Sequence, residues 1–219
     1  FIGILLVHEL GHLFTAIYHK VKSSLPYFMP AWFASLLPSI GTFGAVIQMK
    51  GFIDSRKKFF DIGVAGPLAG FVVAFFVLWF GFTHLPESSY IYEIHPEYAD
   101  PNFESSETNI QLGYNLLFGI MEYLIADESR MPNMAEVYHY PFLLAGYLAL
   151  FFTALNLLPI GQLDGGHVVF GLFPKHHKAI SLGAYIAFLF YAGLGLISPF
   201  EELNYLLFAI PLYIGFIYI

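Results

Sequence analysis

Residues 62 to 82 read IGVAGPLAGFVVAFFVLWFGF, an uncharged run. About 20 apolar residues cross the hydrocarbon core of a bilayer as a helix. In lipid, only helices and closed barrels satisfy every backbone N–H and C=O. A chain carrying such a run is therefore pushed towards helical membrane architecture. Composition agrees, with 58% apolar and 11% charged residues, against about 45–50% and 25% in soluble domains.

Four further apolar segments follow the same logic: 1–18, 141–160 (PFLLAGYLALFFTALNLLPI), 179–198 and 203–219. The expectation is an all-α polytopic membrane protein with about five hydrophobic spans. The first reads as truncated, since only FIGILLV precedes His8. No charged n-region or small-residue cleavage site marks it as a signal peptide. With no Cys, disulfides and thiolate metal sites are excluded. Basic residues are too few and scattered for nucleic-acid binding.

Two regions do not read as simple spans. Residues 25–50 hold Pro26, Pro30, Pro38, Gly41 and Gly44, then the β-prone FGAVIQMK. Pattern alone leaves open an ordinary loop or a re-entrant or interfacial hairpin. Irregular backbone at membrane depth would have to line a protein cavity. Residues 86–140 are polar, and acidic side chains far outnumber the single basic residue, Arg130. Within them, apolar residues at 112, 116, 117, 120, 121, 124 and 125 follow the helical period. This stretch is short for a span and reads as an amphipathic helix on the membrane surface.

Charge orients the chain. Lys20, Lys22, Lys50, Arg56, Lys57 and Lys58 fall between the first two spans, and Lys175 and Lys178 between the third and fourth. Alternating spans place both loops on one side, cytoplasmic by the positive-inside rule. The organisation expected is 1–85, two core spans with the hairpin region; 86–140, an extracytoplasmic acidic block; 141–178, a third core span; and 179–219, two additional spans. The chain reads as multi-pass in a plasma, inner or organelle membrane.

The chemistry sits in VHELGHL, residues 7–13. Helical residues four apart share a face, so His8 and His12 can both reach one zinc ion. Glu9 need not ligate and is placed as general base towards a water that the metal activates. Ionisable residues at membrane depth are costly and mark functional sites. A catalytic zinc takes three protein ligands. A metzincin pattern would need Gly and His where Thr15 and Tyr18 stand, with His19 one place out of register. The next Glu after Glu9 is Glu87, outside the membrane in this topology. Asp164, in NLLPIGQLDGGH, is the remaining candidate.

HELGH with NLLPIGQLDGG far downstream resembles the site-2 protease family of intramembrane zinc metallopeptidases, whose signature is HExxH with NxxPxxxLDG. Asn156, Pro159, Leu163, Asp164 and Gly165 all match, and residues 41–70 resemble the family's central region. The resemblance implies one zinc per chain on His8, His12 and Asp164, Glu9 as catalytic base, and substrate positioning by Asn156 and Pro159. It implies hydrolysis of a peptide bond in or near the spanning part of a membrane-protein substrate, within the lipid bilayer. It also suggests that FGAVIQMK is a membrane-associated β-hairpin offering an edge to that substrate. Many relatives hold a PDZ domain where this chain has its shorter acidic block. The alternative is a non-catalytic zinc-binding or zinc-transporting membrane protein, which would not require Glu9.

Other polar residues have plainer readings. His167 reads as a supporting or structural group, His176 and His177 as a cytoplasmic turn, and His84, His95 and His139 as solvated. Asp54 and Asp61 stand beside Arg56, Lys57 and Lys58, which favours local charge pairing.

Overall fold

A computed structural model describes residues 1–30, 42–51, 53–99 and 112–193. These residues are mostly helical, as an all-α membrane protein requires. The segment expected to span at 203–219, and the end of the one at 179–198, lie outside them.

Helix α1 (Ile2–Tyr18) carries the HELGH stretch. It closes with Lys20 N–H donating to Ile17 O (2.9 Å) and Val21 N–H to Ala16 O (2.9 Å). Lys20 takes the left-handed conformation, φ 57°, that this kind of helix end needs. Strands β1 (Tyr27–Pro30) and β2 (Thr42–Val46) then pair antiparallel. Tyr27 faces Val46, and Phe28 faces Ala45, with an irregularity before Pro30 opposite Thr42.

The chain next enters α2 (Arg56–Thr83). Its 28 residues make it about 42 Å long. Among the described helices it is the one long and apolar enough to cross a membrane by itself. Helices α1, α5 (Pro141–Asn156) and α6 (Asp164–Leu172) all pack on α2, making it the central post. Outward-facing Phe76, Trp79 and Phe80 stay exposed, so α2 is apolar on the outside as well as the inside. That surface suits lipid.

The residues of the acidic block that are described are more ordered than their composition suggests. Helix α3 (Tyr90–Ile94) and single 3-10 turns at Pro96–Ala99 and Val137–His139 precede α5. The amphipathic stretch forms α4 (Leu116–Ile125), shorter than its apolar period because Asn115 caps it. The Asn115 side chain accepts from Phe118 N–H at 2.9 Å. Phe118 and Met121 are buried, whereas Leu116, Tyr123 and Leu124 are exposed.

Residues 141–160, expected as one span, are instead a helix that ends at Asn156 and a turn that leads to a second helix at Asp164. Pro159 has no N–H to continue a ladder, and Gly161 sits at φ 52°, where side chains are disfavoured. Helix α5 therefore stops at Asn156, and α6 restarts at Asp164. The last described helix, α7 (His177–Gly193), begins just before the segment expected at 179.

The core lies between α2, α4 and α5, with Ala74, Leu78, Phe82, Phe118, Leu143 and Tyr147 buried. Between apolar helices in lipid, close contact of small residues drives association more than hydrophobicity does. Gly146 is such a contact: a Cβ there would stand 2.7 Å from Leu78 Cδ2. Leu78 is fully buried and has nowhere to turn. Gly146→Ala is therefore expected to destabilise the bundle by about 1–3 kcal/mol. The measurement is thermal unfolding in detergent, with Gly183→Ala, in open space, as the neutral control.

Candidate metal centre

Two helices contribute polar groups to a single point, two from α1 and one from α6. His8 and His12 project from one face of α1 and are buried. Asp164 is the first residue of α6, and its position depends on the turn before it. Gly165 and Gly166 are buried, and a Cβ on either would overlap backbone of Leu157 or Gly161. With no side chains there, the start of α6 folds tightly under the end of α5 and carries the Asp164 carboxylate to α1.

The distances are short. His8 Nε2 lies 3.1 Å from Asp164 Oδ2. His12 Nε2 lies 3.2 Å from Asp164 Oδ1 and 3.2 Å from His8 Nε2. His12 Nδ1–H donates to Ile62 O at 2.7 Å, which leaves its Nε2 lone pair facing the other two groups. This carbonyl support is the usual partner of a ligating histidine. Glu9, also buried on α1, interacts electrostatically with His12 and Asp164.

Helix α2 is shaped to admit this cluster. Gly63, Gly66 and Gly70 lie at helical spacing along one face. A Cβ on Gly66 would overlap the His12 ring, one on Gly70 would stand 3.1 Å from His8 Nδ1, and one on Gly63 3.1 Å from Asp164 O. The AGPLAG run thus serves as a cradle for the site as well as a packing face.

A tetrahedral zinc with bonds of about 2.0–2.1 Å separates its ligand atoms by about 3.3–3.4 Å. The observed separations, the buried setting and the two-nitrogen, one-carboxylate donor set fit that ion. Without a cation, two imidazole lone pairs and a carboxylate would converge with too few protons between them.

Asn156 ends α5, and Pro159 stands in the turn that leads from it to α6. His167 is not among the three converging groups. Its Nδ1–H donates back to Leu163 O at 3.0 Å, and its ring stacks on Phe59. Local charge pairing describes Asp54, whose carboxyl Lys58 holds below the usual range from 2.7 Å. It does not describe Asp61, which reaches His19 at the end of α1, Oδ2 to Nε2 2.8 Å. His95 and His139 are not simply solvated, since their rings meet edge to face. No local motif announced that pair, because 44 residues separate its members.

An HExxH pair completed by a distant carboxylate, on helices apolar towards their surroundings, is the donor arrangement of a mononuclear zinc site in a membrane protein. The chain belongs to peptidase family M50, the site-2 protease family, whose model matches residues 1–198. Among curated proteins it is similar to the probable zinc metalloprotease EGY1, chloroplastic, of Oryza sativa subsp. japonica. The two are 34% identical over 174 residues, 80% of this chain and 27% of that protein. The Arabidopsis thaliana protein of the same name is 34% identical over 175 residues, covering 80% and 29%. The probable zinc metalloprotease EGY2, chloroplastic, of Arabidopsis thaliana is 27% identical over 183 residues, covering 84% and 29%. The chain thus spans less than a third of the length of these relatives. No solved structure matches it.

Proposed function

We propose that this chain is the catalytic part of an intramembrane zinc endopeptidase that cuts a peptide bond in or near a spanning segment of another membrane protein. The observation that carries this reading is the convergence of His8, His12 and Asp164 beside a buried Glu9. Family membership supports it. Zinc held by His8, His12 and Asp164 would make water nucleophilic near neutral pH and polarise the peptide carbonyl.

The chain's own residues do the rest. His12 is oriented by the Ile62 carbonyl, and His8 is confined against Gly70. Glu9 takes the proton of the attacking water and hands it to the leaving amine. Asn156 and Pro159, at the bend between α5 and α6, hold substrate near the metal. A helical substrate hides its scissile carbonyl in its own hydrogen bonds and must first unwind. Strands β1 and β2, as a membrane-associated hairpin, offer an edge on which the unwound segment pairs.

The lysine- and arginine-rich loops face the cytoplasm or its topological equivalent, and residues 86–140 face the opposite side, with the exposed face of α4 on the membrane surface. Residues 1–85 and 141–178 form the catalytic core, and 179–219 add further spans. The test counts zinc per chain by elemental mass spectrometry in wild type and Asp164→Ala. A loss of one zinc in the variant is the expected result. Equal zinc in both would remove Asp164 from the site and overturn the assignment.

A further inference from the structure

We propose that His95, Glu136 and His139 form a second site, for a divalent transition-metal ion such as zinc, separate from the centre on α1. His95 follows α3, and Glu136 and His139 bracket the 3-10 turn that leads into α5. His95 Nε2 stands 2.9 Å from His139 Nε2, and Glu136 Oε2 stands 3.5 Å from His139 Nε2. One ligand atom from each residue lies within 4.8 Å of the others.

Proton placement does not satisfy this cluster. His95 Nδ1–H donates to Glu97 Oε1 at 2.9 Å, which turns its Nε2 towards His139. A single proton between the two Nε2 atoms serves that pair and nothing else. Glu136 is 8% exposed. Its Oε1 accepts from Tyr98 O–H at 2.8 Å, but Oε2 is buried with no hydrogen-bond partner among the described residues. Leaving a buried carboxylate oxygen unserved is costly. A cation bound by both Nε2 atoms and Oε2 removes the deficit at all three.

The donor types choose the ion. Two imidazoles and one carboxylate suit zinc and its transition-metal neighbours, whereas magnesium and calcium prefer all-oxygen sets. Glu97 on His95 and Tyr98 on Glu136 are the outer partners that ligating groups customarily have. The two centres cannot share an ion. They sit at opposite ends of α5, whose 16 residues span about 24 Å. Bound metal would tie the segment 95–99 to the entry of α5, and so hold the polar block against the bundle.

The experiment uses the full chain in detergent, purified without a polyhistidine tag and dialysed against zinc chloride. Bound zinc is counted by elemental mass spectrometry. Asp164→Ala is expected to keep about one zinc per chain, and adding Glu136→Gln or His95→Gln to lower its affinity by about tenfold or more. In the Asp164 background, zinc unaffected by both further changes overturns the outer site. Zinc equal to wild type in Asp164→Ala overturns only the inner one. A measurement free of outer-site variants is zinc-edge X-ray absorption on the combined His8→Ala, His12→Ala and Asp164→Ala chain, which keeps none of the three inner ligands. Two imidazoles with a carboxylate oxygen support the site, and an all-oxygen shell overturns it.

Discussion

Glu9→Gln is expected to keep its full complement of zinc and to lose cleavage by about 10²–10⁴-fold, the usual contribution of a positioned general base. Glutamine preserves the shape of the side chain on α1 and removes only its ability to take a proton. Glu9 is buried, beside His8 in sequence, and interacts with His12 and Asp164 without joining their short contacts. Ligation and proton transfer are thus assigned to different residues, and the variant separates them. The measurement pairs zinc per chain with cleavage of a membrane-spanning substrate by reconstituted protein. A variant retaining more than about a tenth of wild-type activity would remove Glu9 from the base role.

The second large effect is expected at a residue with no chemistry of its own. Gly66→Ala places a methyl group inside the volume of the His12 ring. The ring cannot swing clear without losing its 2.7 Å hydrogen bond to Ile62 O, which is made to the same helix that carries Gly66. Orientation of a ligating histidine by such a partner is worth about 10–100-fold in metal affinity, and displacement of the ring costs at least that much. Loss of the inner zinc and of cleavage is therefore expected together. Gly3→Ala, on the same helix as the histidines but in open space, should change neither. Inner-site zinc in Gly66→Ala at wild-type affinity would show that α1 and α2 can separate, and would refute the cradle.

Much of the architecture is readable from composition and period, since an apolar run in lipid has few ways to satisfy its backbone. The α2 segment and the face of α4 belong to this class, because each depends on neighbours within a few turns. The break between α5 and α6 was also written in Pro159 and Gly161, but hydropathy alone ran through it. Pairings across long separations were not readable. Asp61 sits among basic neighbours yet reaches His19, because α1 and α2 pack side by side. His95 and His139 looked solvated until the outer turns brought their rings together.

What the sequence by itself determined is the set of candidate groups and the medium: two histidines one helical turn apart with a glutamate between them, an aspartate far downstream, and apolar helices around them. Spacing of that kind is local, and helix geometry alone converts it into a shared face. Only the tertiary structure decided how Asp164, 156 residues beyond His8, is carried to the two histidines, and that Gly66 leaves room for them. Both depend on how closely α1 and α6 approach α2. That approach is set by three-dimensional packing, which no run of neighbouring residues encodes.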